Sequence, residues 1–348
     1  MNRASRSTGG SALTDLLRLR ADLAAAIREF FAQRGVLEVH PPCLGPAAMD
    51  PALASVAADA ADGDGNQLYL QTSPESAMKR LLSAGSGDIY YLGPAWRGGE
   101  RGRWHSVEFT LLEWYRVGYS HYDLMAELAE LIEYCRISLS KRKATVPAAE
   151  GCGLGKRSVE YLSYRQACLD QAWVDPLTAS QEQLQEAVTR AGIELHSCAA
   201  NSSAGSEVNL DRDELLDLLL SHVVAMQLGH SRITFLTAFP ASQAALARLD
   251  EADPRTARRF ELFMDGLEIA NGYHELTDPG AQRQRFKQEQ QQRRAGGLPV
   301  HELDHSLLAA LERGLPDCAG VAVGFDRLLA VFLGADSLAE VRSELYRG

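Results

Sequence analysis

Apolar residues recur at helical spacing near the start of the chain (Leu16, Leu19, Leu23, Ile27, Phe30, Phe31), which predicts an amphipathic helix over about 14–33. Thr14 or Asp15 can cap its start, and Gly35 stands where a helix end wants a left-handed residue. Residues 36–40 read as a short strand stopped by Pro41-Pro42, and 67–71 as another. Ser73-Pro74 then reads as N-cap and first helical position of a helix over Glu75–Ser83 that ends at Gly85.

Two longer strands are predicted at 89–96 and 106–117, joined by a loop rich in Gly and Arg, before a helix over 121–139. Residues 141–157 form a Gly-, Ala- and Lys-rich linker, and 158–230 read as a mainly helical, irregular insertion. Strands return at 232–238, 259–264 and 267–271, the last two joined by an Asp265-Gly266 turn. Helices at 280–295 and 306–313 precede a strand-then-helix unit over 320–333. Because strands lie in pairs rather than alternating with helices, the expected class is α+β, an antiparallel sheet flanked by helices. The expected layout is a disordered lead over 1–12 and one domain over 13–348, with 141–230 as linker and insertion.

Composition narrows the functional classes. The 348 residues carry a net charge of −11. A protein that held tRNA through its own field would need a basic face to replace phosphate counterions. The short run Lys141-Arg142-Lys143 does not supply one and reads as solvated linker. The scattered cysteines (Cys43, Cys135, Cys152, Cys168, Cys198, Cys318) form no CxxC pair and suit reduced thiols. The polar first residues show no signal peptide, and no apolar run approaches the ~20 residues of a membrane span. The expectation is a cytoplasmic protein without a membrane partner.

Chemistry concentrates in four places. On the strand over 106–117 side chains alternate faces, so Val107, Phe109, Leu111, Glu113 and Tyr115 share one. A ring, a carboxylate and a phenol in one row suit a pocket floor that stacks a flat base and accepts from an ammonium group. A mixed edge strand with Glu113 in a structural ion pair would carry the same pattern. The loop before it holds Arg97, Arg101, Arg103 and His105 among Gly98, Gly99 and Gly102. Guanidinium forks match phosphate oxygens, and glycines let backbone approach a ligand, though a solvated basic turn would look alike. In Gly266-Leu267-Glu268-Ile269-Ala270-Asn271-Gly272-Tyr273-His274-Glu275-Leu276, carboxylates and an amide surround a strand expected to break at Gly272; Glu268 and Glu275 could share Mg²⁺ on nucleotide phosphates. Gly324-Phe325-Asp326-Arg327 puts an arginine at a helix start, where an anion is favoured.

Taken in order, these segments resemble class II aminoacyl-tRNA synthetases, specifically lysyl-tRNA synthetase. Motif 1 is similar to residues 30–42, motif 2 to 96–115 and motif 3 to 320–328. With the 266–276 segment and the Thr72-Ser73-Pro74-Glu75 loop, the likeness spans about 14–335. It is closest to the shortened paralogues that modify elongation factor P, the elongation factor P–(R)-β-lysine ligases, which Phe239-Pro240-Ala241-Ser242-Gln243 and Gly314-Leu315-Pro316-Asp317-Cys318 resemble. The motif 1 helix begins near residue 14, which leaves no room in this sequence for an anticodon-binding barrel. No stable tRNA binding is therefore expected.

The resemblance implies ATP as substrate, Mg²⁺, and (R)-β-lysine or lysine activated as the adenylate, with elongation factor P as acceptor. Ser73, Pro74 and Glu75 would line the amino-acid pocket with Tyr115 and Glu275, and Glu113 and Asn271 join them. Arg97 would hold the α-phosphate, Phe109 would stack adenine, and Gly98, Gly99, His105 and Ser106 would lie near the nucleotide. Glu268 and Ile269 would border ATP and metal, Gly324 would give adenosine room, and Arg327 would clamp the far phosphate. Motif 1 builds a two-fold interface in such folds, so a homodimer is expected. The chain departs from the family at Gly98, usually Asn; at Gly99, where Glu is frequent and Glu100 follows; and at Ser106-Val107, usually Asn-Pro. These changes are expected to remove polar contacts and free the loop. Ala322 stands where full lysyl synthetases carry Gly.

Two motifs are decoys. His301-Glu302-Leu303-Asp304-His305 matches HExxH but is expected to precede its helix, with Asp304 as cap. Gly151-Cys152-Gly153-Leu154-Gly155-Lys156 lacks the glycine spacing and preceding strand of a phosphate loop. The rival readings are an adenylate-forming ligase for another carrier or tRNA, and a catalytically inactive amino-acid-binding paralogue.

Overall fold

The computed structural model describes residues 10–45, 53–143, 154–193, 210–295, 300 and 303–342. In chain order the elements are α1 (Gly10–Ala32), β1 (Leu37–Glu38), β2 (Leu44–Gly45), β3 (Val56–Ala61), β4 (Gln67–Leu70), α2 (Glu75–Ser83), β5 (Ile89–Trp96), β6 (Glu108–Val117) and α3 (His121–Lys143). Next come β7 (Ser158–Ser163), α4 (Tyr164–Gln171), α5 (Gln181–Arg190), α6 (Arg212–Leu219), β8 (Arg232–Pro240), β9 (Thr256–Met264) and β10 (Leu267–His274). Then follow α7 (Pro279–Ala295), α8 (His305–Arg313), β11 (Cys318–Gly324) and α9 (Phe325–Leu333). The chain divides into two compact units, with boundaries after Lys156 and after Glu275.

In the unit built from both chain ends, β1, β5, β6 and β11 are hydrogen-bonded in that order, and β2, β4 and β3 form a small sheet. The β5–β6 and β6–β11 pairs are antiparallel, as expected, but β1 runs parallel to β5. Parallel neighbours need a long crossover, and the chain between β1 and β5 supplies it with β2–β4 and α2. Alternation along β6 divides its roles. Leu112 and Trp114 are fully buried, and Trp114 Nε1 donates to Glu127 Oε2 of α3 at 3.0 Å. The apolar stripe of α1 meets this face: Phe31 stacks on Tyr90 at 4.5 Å and meets Trp114 edge-on at 5.3 Å.

Asp326 binds α1 to the motif 2 and motif 3 segments. Its carboxylate accepts from the Thr110 backbone N–H at 2.8 Å and from Arg20 Nη1 at 2.5 Å, while Arg20 Nη2 donates to Thr110 Oγ1 at 2.7 Å. Asp326 is 2% exposed, so both donors are needed to hold its charge out of water.

Several boundaries differ from the sequence reading. Helix α1 starts at Gly10, so residues 10–12 are helical, and Asp15 lies inside it facing Arg18 at 3.8 Å instead of capping; residues 1–9 lie outside the described residues. Pro74 takes the N-cap position of α2 and Ser73 stands one residue further out, its hydroxyl accepting from the Glu75 N–H at 3.4 Å. Gly35 has φ +67, as the helix end requires. Asp304 caps α8, accepting from the Leu307 N–H at 2.9 Å, so the helix starts only at His305, the last residue of the HExxH segment; His301 and Glu302 lie outside the described residues.

In the unit over 157–275, β10, β9, β8 and β7 are hydrogen-bonded in that order. The insertion is not only helical. It opens with β7, parallel to β8, and α4–α6 form the crossover. Leu184, Val188, Leu215, Leu216 and Leu219 of α5 and α6 pack with Leu236 and Phe239 of β8 in one core. Capping boxes at Ser180/Gln183 and Asp211/Glu214 start these helices. Asp265 and Gly266 take φ values of 53 and 76, the turn their sequence predicts. Strand β10 does not break at Gly272, which pairs with Phe260, and it continues to His274. The linker residues 144–153, insertion residues 194–209, Cys152 and Cys198 lie outside the described residues; Cys43, Cys135, Cys168 and Cys318 take part in no disulfide. Among the described residues no helix is long and apolar enough to cross a membrane.

Replacing Asp326 by Ala strands the Arg20 guanidinium and the Thr110 N–H. The variant is expected to lose about 3–5 kcal/mol of stability in denaturant unfolding, whereas a loss under about 1 kcal/mol would mean the contact holds nothing.

Candidate active site

The predicted residues of the first unit converge on one face of β6. Register places Ala95 opposite Phe109, Tyr91 opposite Glu113 and Ile89 opposite Tyr115 on β5; on β11, Gly324 faces Leu111, Ala322 faces Glu113 and Gly320 faces Tyr115. Directly opposed residues share a face. Small side chains on β11 and at Gly93 and Ala95 therefore flank the row of Phe109, Glu113 and Tyr115, leaving a trough above the sheet. At its floor Tyr115 Oη donates to Glu113 Oε1 at 2.8 Å, and both are nearly fully buried. One Glu113 oxygen is thus fixed by the Tyr115 hydroxyl. Tyr91 folds back over Gly93, where an added Cβ would lie 2.5 Å from Tyr91 Oη; that hydroxyl donates to Pro94 O and accepts from Gln71 Nε2, each at 2.9 Å.

Arg97 joins this row to the loop before α2. Its Nε donates to Thr72 O at 3.4 Å and its guanidinium lies 5.1 Å above the Phe109 ring. Glu100 faces it at 3.8 Å. The expected neighbours Ser73, Pro74 and Glu75 follow Thr72 directly, and Glu75 Oε1 accepts from Lys79 Nζ at 2.6 Å. Lys79, at 2% exposure, is a residue the sequence reading missed; its signal was the i, i+4 spacing from Glu75 on a helix.

The glycine-rich loop is pinned, not freed. Gly98 N–H donates to Ala54 O at 2.7 Å, and a Cβ at Gly98 would lie 3.2 Å from that oxygen. The missing side chain is thus explained by close packing, and Gly99 turns the chain with φ +76. Arg327, in the first turn of α9, donates through Nε to Trp104 O at 3.2 Å and through Nη2 to His105 Nε2 at 2.9 Å. Arginine has no acceptor, so His105 here presents its Nε2 lone pair as the Nδ1–H tautomer. A Cβ at Gly324 would touch the Arg327 stem at 3.5 Å. Ser106 Oγ accepts from Arg342 Nη1.

Glu268, Ile269, Asn271 and Glu275 lie in the second unit. Pairing of β10 with β9 shifts between Glu268 and Ala270, which makes Ile269 the extra, buried residue of a bulge. Asn271 lies opposite Glu261. One half-buried guanidinium serves both: Arg259 Nη2 donates to Glu261 Oε1 at 2.6 Å, Nε to Asn271 Oδ1 at 3.3 Å and Nη1 to Gln243 O at 2.7 Å. Burial pushes the Glu261 carboxyl up, and the charge of Glu268 pushes it further in the same direction. Neither Arg259 nor Glu261 was singled out from sequence, although a glutamate inside the apolar run Phe260-Glu261-Leu262-Phe263-Met264 is itself a signal. Burial also pushes Asp217 up to about 6, where it accepts from Gln243 Nε2 at 2.7 Å. The Gln243 segment thereby ties α6 to β8. Glu275, the last residue of this unit, is wholly buried, and its main-chain oxygen accepts from Arg248 Nε at 3.1 Å. Among the described residues no cluster of three His, Cys, Asp or Glu is assembled as a metal site.

Comparison with known proteins agrees with this architecture. The family model of class II tRNA synthetases (D, K and N) matches residues 6–343. An elongation factor P–(R)-β-lysine ligase of Photorhabdus laumondii subsp. laumondii is 43% identical over 335 residues, covering 95% of this chain and 94% of that protein. The protein of that name from Salmonella gallinarum is 43% identical over 326 residues, 92% of each chain. With a catalytic core of α+β class, this ligase-type chain belongs to the class II tRNA synthetase family.

Proposed function

We propose that the chain uses ATP to activate (R)-β-lysine, or lysine, as the aminoacyl-adenylate and transfers it to a lysine side chain of elongation factor P, releasing pyrophosphate and AMP. The observation that carries the reading is the row on β6: Phe109 beneath the Arg97 guanidinium, then Glu113 held by Tyr115 in a trough of small residues. A ring with a cation beside it suits adenine and a phosphate, and a buried carboxylate suits an ammonium group. The identity to proteins of that name over nearly the whole chain supports the same substrates.

On this reading the substrate carboxylate oxygen attacks the α-phosphorus in line, a new P–O bond forms, and pyrophosphate leaves with the electrons of the broken one. Arg97 neutralises charge at the α-phosphate, and Arg327 must exchange its His105 and Trp104 contacts for the far phosphate. His105, Ser106, Gly98, Gly99, Ile269 and Gly324 border the nucleotide. Ser73, Pro74, Glu75, Glu113, Tyr115, Asn271 and Glu275 hold the amino acid. Glu268 and Glu275 would hold Mg²⁺, which would neutralise the phosphate charge when bound. The protein's share is positioning and charge stabilisation. In the second step an acceptor amine attacks the acyl carbonyl and AMP departs. We further assign the chain to the cytoplasm as a homodimer that does not hold tRNA stably.

Incubation with ATP, (R)-β-lysine and elongation factor P is expected to add one lysyl unit to the acceptor's intact mass; an unmodified acceptor together with no ATP–pyrophosphate exchange would remove the proposal. Ala322 faces Glu113 across the strands, so its methyl shapes the floor where the amino group lies. Ala322→Gly is expected to raise activation of α-lysine relative to β-lysine by roughly tenfold, the scale of one methyl in a pocket; an unchanged ratio in pyrophosphate exchange would exclude that role. Light scattering at micromolar concentration is expected to give the mass of two chains, and a monomer there would refute the dimer.

A further inference from the structure

The chain's departure at Ser106-Val107 has a counterpart at the far end of the same unit. Beyond α9 a short turn, Leu338–Glu340, is anchored by Leu338 and Val341, which are 5% and 1% exposed. From this anchored segment Arg342 Nη1 donates to Ser106 Oγ. The segment meets the loop twice more. Leu338 N–H donates to Arg103 O at 3.0 Å, and the Arg103 guanidinium donates to the main-chain oxygen and carboxylate of Asp336, the latter at 3.3 Å. The Arg103–Asp336 pair is exposed on both sides and contributes little. The half-buried Arg342–Ser106 bond and the main-chain bond to Arg103 carry the attachment. They brace the loop between Arg97 and His105, the residues assigned to the nucleotide.

We infer that Arg342 is a positioning residue of the nucleotide site: through Ser106 it braces the motif 2 loop. A short hydroxyl cannot span from the loop to a distant support, and a long guanidinium stem from a buried turn can. Holding the loop before ATP arrives removes an ordering cost from binding, so the device acts on affinity for ATP and not on the chemical step. This inference rests on the reading of the site as an adenylate-forming one.

The test uses the whole chain and two readouts. In ATP–pyrophosphate exchange, Arg342→Ala is expected to raise KM for ATP about tenfold, with kcat and KM for the lysine substrate within about twofold. Arg342→Lys is expected to recover part of the loss. Ser106→Ala should match Arg342→Ala, and the double variant should be no worse than either. In limited trypsin digestion, cleavage at Arg101 and Arg103 is expected to quicken severalfold in Arg342→Ala at an unchanged melting temperature. An ATP KM that stays at the wild-type value overturns the inference whatever the digestion shows. Should the wild type fail to exchange with any lysine isomer, the functional reading falls first; loop cleavage at the wild-type rate would then overturn the bracing separately.

Discussion

A single buried carboxylate fixes the geometry on which the first unit depends. Asp326 sits at the N-terminal turn of α9, and its two oxygens take one donor from α1 and one from the backbone of β6. Arg20 closes the ring by reaching Thr110. Segments separated by more than two hundred residues in the chain thereby share one ionic node. Its position decides where Phe109, one residue before Thr110, and Arg327, one residue after Asp326, can lie. Desolvating a carboxylate is costly unless its lone pairs are taken up. The fold meets that condition with donors from different elements, which makes the site's alignment a by-product of satisfying one charge.

The second unit solves a similar problem with the opposite sign. Arg259 is half-buried between Glu261, Asn271 and the Gln243 carbonyl, with the Phe239 ring 4.4 Å from its guanidinium. Burial works most strongly against the cation, but the charges of Glu261, Tyr273, Glu268 and Asp217 together outweigh it, so its pKa is raised. Because Arg259 donates to Asn271 Oδ1, the amide presents its NH₂ away from the guanidinium. A residue read from sequence as a ligand contact is therefore oriented by one that was not.

Much of this was legible in the chain. Helix α2 and strand β5 begin and end where their periodicity and flanking residues place them, and the Asp265-Gly266 turn follows from residues that tolerate positive φ. The candidate row on β6 followed from alternation alone. What escaped depends on partners distant in sequence. The strand β7 is short and polar, and only its pairing with β8 makes it a strand. The role of Asp326 needed Arg20, and the burial of Lys79 needed the packing around α2. Gly98 and Gly99 looked like lost contacts in the linear sequence. In three dimensions one is a close approach to Ala54 and the other a turn.

The contact at Gly98 limits what this loop can carry. A Cβ at 98 would lie 3.2 Å from the main-chain oxygen of Ala54, in the segment before β3, a tighter approach than packing normally allows. Restoring the family's asparagine there would first require that neighbouring backbone to retreat. Room for a side chain at position 98 is thus set by main chain far away in the sequence, at Ala54, and not by the loop that carries it.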